Sequence, residues 1–112
     1  MINVYHFMEL EGAGPEDRKC RSLIWKGDAV AAQAVFDGAT PYLRYEKVAS
    51  IPTDDSEEAV WATISQGTPW YKKLPDGARY FPQHTASRST HIGDCLSING
   101  KFFVINQMEN VH

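Results

Sequence analysis

The chain has 112 residues, of which 43% are apolar and 22% are charged, and its formal net charge is -3 at pH 7. These values are typical of one soluble globular domain, so we expect a single domain over residues 1–112. The mild acidity and the absence of a Lys/Arg run argue against binding nucleic acid through its phosphates. No window approaches 18 consecutive apolar residues and no signal-peptide layout opens the chain, so we expect a cytoplasmic protein without a membrane contact.

The N-terminal third contains one predicted strand and one predicted helix. Residues 2–8 alternate in polarity as a strand does. Residues 11–17 have the composition of a loop, and residues 21–25 fit either a short strand or the approach to a helix. Asp28 is a good N-cap for a helix over residues 29–36, because its carboxylate can accept from the first amides.

The middle of the chain predicts a strand, a helix and a long loop. Strict alternation over residues 42–51 places five side chains on one face, namely Leu43, Tyr45, Lys47, Ala49 and Ile51. Asp55 and Glu58 then form the start of a helix that runs to about residue 65. Residues 67–87 mix Gly and Pro with aromatic residues, which is typical of a packed loop.

Asn99-Gly100 lies between two apolar runs and predicts a hairpin with a type I′ turn. A two-residue turn fixes the register, so Leu96 lies opposite Phe103 and Cys95 opposite Val104. We expect one face of the hairpin to meet the core, the face with Leu96, Ile98, Phe103 and Ile105. Phe102 and Val104, on the other face, need cover from the loop of residues 67–87 or from a second chain, and we favour loop cover in a monomer over a homodimer.

The order of these elements predicts an α+β fold. We expect a small antiparallel sheet of about four strands, two helices packed on one face, and a C-terminal β-hairpin. The two cysteines, Cys20 and Cys95, are far apart and are expected to be reduced thiols.

No residue pattern indicates catalysis. His84 and His91 are seven residues apart, which fits no zinc spacing, and no phosphate-binding loop or nucleophile motif occurs. We therefore expect no enzymatic activity, no metal and no cofactor. A small enzyme that uses His84 or His91 is the remaining catalytic alternative.

Aromatic and charged residues of the C-terminal half are candidates for binding. Trp70 and Tyr71 can anchor a protein interface, because aromatic residues dominate interface energetics. With four basic residues they could instead form a nucleic-acid or nucleotide site, the residues being Lys72, Lys73, Arg79 and Arg88. In the string Arg88-Ser89-Thr90-x-x-Gly93-Asp94, the polar residues can form local hydrogen bonds at a bend, or Arg88 can present a charged contact.

This string, followed by a strand, a turn and an aromatic strand, resembles the C-termini of small phage, prophage and plasmid proteins that read R-S-[TL]-x-x-G-D. The YodL-like domain of mobile-element proteins has a similar ending. The acidic helix start at residues 54–61 and the stretch 67–70 also look like that group, so the resemblance covers about residues 42–110. It departs at residues 106–110, where the group often has a Phe-Gly-Phe ending. It implies a mobile-element origin and gives no catalytic residues.

We therefore expect a non-catalytic phage or mobile-element accessory protein that binds and inhibits a host protein in the host cytoplasm. The target would be a defence component such as CRISPR-Cas or the transcription machinery. The expected contact residues are Trp70, Tyr71, Arg88, Ser89, Thr90, Asp94, Phe102 and Val104. The alternative is a small nucleic-acid or nucleotide-binding module.

Overall fold

The computed structural model describes residues 1–81 and 88–106 and has an α+β fold, as predicted. Among these residues one antiparallel sheet has five strands, in the order β3-β2-β1-β4-β5. The strands are β1 (Ile2–Glu9), β2 (Leu43–Ile51), β3 (Arg79–Tyr80), β4 (Cys95–Ile98) and β5 (Lys101–Val104). The helices are α1 (Pro15–Trp25), α2 (Ala29–Phe36), α3 (Ser56–Ala62) and a short 3-10 helix (Trp70–Lys72). Residues 67–87, predicted as a loop, thus contain a 3-10 helix and the short strand β3.

The C-terminal hairpin has the predicted turn and register. Asn99 and Gly100 both have positive φ angles, 51° and 80°, as a type I′ turn requires. Cys95 pairs with Val104 and Leu96 with Phe103. Phe103 is nevertheless 49% exposed, so it does not meet the core as expected; β5 is an edge strand.

Two of the three α-helices in the described part of the chain begin at an aspartate N-cap, and the third begins at a proline. Asp28 accepts from the amides of Val30 and Ala31, and Asp55 accepts from those of Glu57 and Glu58, as predicted. Helix α1 was not predicted: it begins at Pro15, so the loop prediction for residues 11–17 is wrong from there on and residues 21–25 are helical. Proline suits the first helical position because its missing N–H would have no partner there.

Asp17 closes the start of α1 from within the first turn. Its carboxylate accepts from the Gly14 N–H at 2.8 Å and from the Thr40 hydroxyl at 2.8 Å. The bond from Gly14, then that from Thr40, lowers the pKa of Asp17 below its ordinary value. The N-cap residue, Gly14, has no side chain that could cap the helix. The capping carboxylate belongs to Asp17, three residues later.

Helices cover both faces of the sheet instead of one. On the first face, α1 and α2 pack on β1, β2, β4 and β5 through a core that includes Ile24, Val35, Phe7 and Cys95. On the second face, α3 and the 3-10 helix pack through a core that includes Val60, Trp70, Val4 and Leu96.

Helix α2 also covers Phe102, whose ring centre lies 4.5 Å from that of Phe36. Phe102 and Val104 both pack against the core of the first face. Helix α2 therefore provides cover that we expected from residues 67–87 or from a second chain, although residues 82–87 lie outside the described residues. The first face has helices of its own to bury both side chains.

A β-bulge in β2 changes which side chains share a face. Val4 pairs with Ala49 but Tyr5 pairs with Lys47, so Val48 is an extra residue. Lys47 therefore shares the first face with Leu43 and Tyr45, whereas Ala49 and Ile51 lie on the second face. The predicted single face for all five residues is wrong for this reason.

Candidate protein-binding site

The loop of residues 88–94, here called the 88–94 loop, is organised around one buried carboxylate. Asp94 is fully buried and pairs with both guanidinium nitrogens of Arg88, at 2.7 and 2.8 Å. Its two oxygens also accept from the backbone N–H groups of Phe7 and His91, each at 2.8 Å. Two-pronged arginine–carboxylate pairs are strong and directional. Asp94 thus ties the loop to β1 and has its charge neutralised by Arg88.

Arg88 also forms hydrogen bonds with backbone groups of β1 and of the 88–94 loop. Its guanidinium donates to the carbonyl oxygens of Phe7 and Ser89, both at 3.0 Å. The indole N–H of Trp70 donates to the Arg88 carbonyl oxygen at 2.7 Å. The charge of Arg88 is therefore used inside the protein, as the structural interpretation of the string requires.

The two hydroxyl residues of the string bind neighbouring elements. The Ser89 hydroxyl accepts from the Ser65 N–H at 2.8 Å. The Thr90 N–H donates to the Thr63 carbonyl at 2.9 Å, and the Thr90 hydroxyl lies 2.8 Å from Nε2 of the buried His6. These bonds fasten the loop to the end of α3 and to β1.

Trp25, the last residue of α1, packs on the tip of the 88–94 loop. Gly93 has φ +96°, and a Cβ there would lie 2.7 Å from the Trp25 ring. Only glycine fits this position, because it needs both the left-handed backbone and the close approach. The Gly93 carbonyl also accepts from the Tyr45 hydroxyl at 2.7 Å.

An exposed surface, here called the Trp25 patch, surrounds this contact and consists of Arg21, Trp25, His91 and Ile92. Trp25 is 51% exposed and Ile92 is 37% exposed. The Arg21 guanidinium lies 5.6 Å from the centre of the Trp25 ring, and the His91 ring lies 6.4 Å from it. Arg21 itself is oriented by an ion pair with Glu9 at 3.1 Å. The patch is therefore one half-exposed tryptophan ring with Arg21 and His91 beside it.

The expected contact residues lie mostly inside the protein. Trp70, Thr90 and Asp94 are buried, and Phe102 and Val104 pack under α2. Tyr71 is partly exposed and stacks on Tyr80. Arg88 and Ser89 are partly exposed, but their polar atoms are engaged in the loop.

The Trp25 patch was missed because α1 was missed. In a helix over residues 15–25, Cys20 and Ile24 lie one turn apart on the inward face, while Arg21 and Trp25 lie one turn apart beside them. An exposed tryptophan on a helix indicates a binding surface, but the exposure of Trp25 can be inferred only after residues 15–25 are recognised as a helix.

The described residues offer little for nucleophilic or metal chemistry. Burial raises the pKa of the Cys95 thiol to about 12, and burial, followed by the charge of Asp17, raises the pKa of Cys20. Catalytic thiols need a lowered pKa. In the described ranges no group of three or more His, Cys, Asp or Glu could hold a metal. His84 lies outside the described residues.

Searches for related proteins return no match: no family model, no curated protein and no solved structure is similar to this chain. None of the described helices has the length and apolar character needed to cross a membrane. The resemblance to mobile-element proteins stays a prediction.

Proposed function

We propose that this protein is a non-catalytic binding module that acts on another protein through the Trp25 patch. With the sequence resemblance, this makes it a phage or mobile-element accessory protein that binds and inhibits a host protein. The observation that carries the proposal is a half-exposed tryptophan whose ring packs on Gly93 of a loop that the Arg88–Asp94 pair holds in place.

The size of the exposed surface is sufficient for an interface anchor. A tryptophan side chain buries up to about 250 Å², so the exposed half offers roughly 100 Å². At about 25 cal/mol per Å² its burial contributes about 2.5 kcal/mol. Tryptophan and arginine are also the residues most enriched among interface hot spots.

The support of Trp25 lowers the cost of binding. A side chain already fixed by Gly93, Arg21 and His91 loses little freedom when a partner covers it. The Asp94 network holds the loop beneath it. In this proposal Arg88, Gly93 and Asp94 position the contact surface, whereas His91 and Ile92 of the same loop belong to it.

The charge near the patch indicates the kind of partner. Helix α1 and its C-cap carry four basic residues, Arg18, Lys19, Arg21 and Lys26. Only Lys19 and Arg21 have carboxylate partners within 4.0 Å among the described residues. A partner with an apolar centre and an acidic rim complements this surface.

A pull-down with matched variants tests the proposal. The tagged protein, Trp25→Ala and Val30→Ala are incubated with a lysate of the host cell. Val30 is 81% exposed on α2 and controls for loss of an exposed apolar side chain. We expect a stoichiometric partner with the parent and with Val30→Ala, but not with Trp25→Ala.

Two results would contradict the proposal. Equal recovery by Trp25→Ala would exclude the patch as the contact surface. Absence of any stoichiometric partner for the parent protein would argue against a protein-binding function altogether. Circular dichroism of each variant verifies that it is folded.

A further inference from the structure

Basic residues without a carboxylate partner are concentrated at one end of the sheet. Of the 11 Lys and Arg residues of the chain, four lie within 4.0 Å of a carboxylate among the described residues: Lys19, Arg21, Arg44 and Arg88. Four of the others lie on β3, on the adjoining part of β2, or on and just after the 3-10 helix. We call Lys47, Tyr71, Lys72, Lys73, Arg79, Tyr80 and Phe81 the β3 end.

On the first face of the sheet, two cations lie against one aromatic ring. Lys47 Nζ is 4.8 Å from the centre of the Phe81 ring, and the Arg79 guanidinium carbon is 5.1 Å from it. Arg79 pairs with Ser50, and the Phe81 N–H donates to the Val48 carbonyl at 2.9 Å. The bulge at Val48 turns Lys47 to this face, so both cations and the ring are positioned by strand pairing.

On the second face, two tyrosines form a stacked pair. The rings of Tyr71 and Tyr80 are 5.1 Å apart and inclined by 14°. Tyr80 also meets the ring of the buried Trp70 edge to face at 5.5 Å. Lys72 and Lys73 directly follow Tyr71 and are exposed. Trp70 therefore anchors a small aromatic platform that has two lysines at its rim.

We propose that the β3 end binds single-stranded nucleic acid. Such sites combine cations that follow the phosphates with aromatic rings on which bases stack, and both are present here. A duplex keeps its bases stacked inside and cannot use the rings. Stacking on aromatic rings makes the binding tolerant of base sequence, and contacts between four cations and the phosphates make it depend strongly on salt.

This inference is independent of the protein-binding function. The β3 end and the Trp25 patch share no residue and lie on different elements. The β3 end lacks two residues of the nucleic-acid site expected from the sequence, since Trp70 is buried and Arg88 is paired with Asp94. It has three residues that the expected site lacked, Lys47, Tyr80 and Phe81.

Fluorescence anisotropy with a labelled 12-mer of thymidine, a labelled 12-mer of uridine and a DNA duplex at low salt tests the inference. We expect both single strands to bind more tightly than the duplex. Lys72→Ala/Lys73→Ala should weaken single-strand binding about tenfold, and it should reduce the slope of log K against log salt by about 1.4, since each phosphate contact contributes about 0.7. Lys19→Ala/Lys26→Ala removes the same charge elsewhere and should bind like the parent.

A second arm separates base stacking from simple attraction of a polyanion. Tyr71→Leu keeps an apolar side chain but removes the ring, and it should weaken oligonucleotide binding about tenfold. The affinity for inorganic polyphosphate, measured by its competition with the labelled oligonucleotide, should be the same for Tyr71→Leu and for the parent. Trp25→Ala should bind the oligonucleotides as the parent does, which distinguishes this site from the protein-binding patch.

The inference is overturned if neither single strand binds at low salt, or if the duplex binds as tightly as they do. Equal weakening by the two double lysine variants would also overturn it, because the charge would then act without a specific site. A further contradicting result is a folded Tyr71→Leu variant that binds the oligonucleotides as tightly as the parent while polyphosphate displaces them. That result would establish a site for polyanions in general and overturn the proposed nucleic-acid site.

Discussion

The 88–94 loop and the β3 end both contain arginine, but they use its charge in opposite ways. In the loop, Arg88 is neutralised by the buried Asp94 and its remaining donors bind backbone oxygens. At the β3 end, Arg79 and Lys47 contact an aromatic ring and have no carboxylate within 4.0 Å among the described residues. A buried charge must be paired, whereas an exposed one can stay available to a ligand. The 88–94 loop is therefore a scaffold that supports the fold, whereas the β3 end is a surface that presents its charges to a ligand.

Removal of the central carboxylate should have the largest effect on stability. Asp94→Ala leaves the Arg88 guanidinium without its partner and two backbone N–H groups without an acceptor. We expect the free energy of unfolding to fall by about 3–5 kcal/mol, as measured by urea denaturation. Glu11→Ala, at an exposed turn, is the control and should change it by less than about 0.5 kcal/mol. A loss below about 1 kcal/mol for Asp94→Ala would mean that the network is not the scaffold.

Gly93→Ala tests the contact between the loop and α1. Its left-handed backbone and the clash with Trp25 should together cost about 3 kcal/mol. Gly38 has φ +83°, and a Cβ there would meet no atom within 4 Å in the described part of the chain, so Gly38→Ala should cost only about 1 kcal/mol. Combining Gly93→Ala with Trp25→Ala should recover part of the loss, because the clash is relieved. Thermal unfolding of the three variants measures these losses of stability. Equal losses for Gly93→Ala and Gly38→Ala would exclude a tight contact between Gly93 and Trp25.

High pH should weaken the core beside the loop. Cys95 is fully buried and its pKa is raised from 9.0 to about 12, chiefly by burial. The folded state therefore keeps the thiol proton that the unfolded state loses, so this contribution is complete below pH 9 and is lost as the pH rises towards 12. By pH 10 the loss should lower the free energy of unfolding by roughly 1 kcal/mol. Urea denaturation at pH 8 and pH 10 measures the loss, and Cys95→Ala should show a smaller one.

The smallest effect is expected at the β3 end. Lys72→Ala/Lys73→Ala removes two exposed side chains that have no ion pair in the described part of the chain. Its free energy of unfolding should differ from that of the parent by less than about 0.5 kcal/mol, while its nucleic-acid binding falls. A loss of stability comparable to that of Asp94→Ala would remove the distinction between scaffold and surface.

Elements with local signals could be predicted from the sequence. Asn99-Gly100 determines its hairpin within a few residues, and the Asp28 and Asp55 caps act on the amides directly after them. The start of helix α1 is harder to recognise, because its N-cap is Gly14, its capping carboxylate comes three residues later, and only Ile24 among its residues is fully buried. Its single inward stripe is too narrow to stand out in the sequence.

The sites depend on distant partners, and this is why they could be predicted only in part. The string Arg88 to Asp94 was recognised, but its role follows from bonds to Phe7, which is more than 80 residues away in the chain. At the β3 end the sequence indicates Tyr71, Lys72, Lys73 and Arg79 as candidates, but Lys47 joins them only through strand pairing and the bulge in β2. An acidic total charge therefore says little about a local concentration of cations.

The extra residue in β2 decides which core each half of that strand faces. In a regular strand Lys47 and Ala49 would lie on the same face, but Val48 between them places them on opposite faces. Deleting Val48 would keep the pairs Tyr5–Lys47 and Val4–Ala49, so both halves of the strand would retain their faces and the cost would be the loss of one buried side chain. A natural variant of this chain without the bulge is therefore expected to lack one residue between Tyr45 and Ala49 and to keep the same fold.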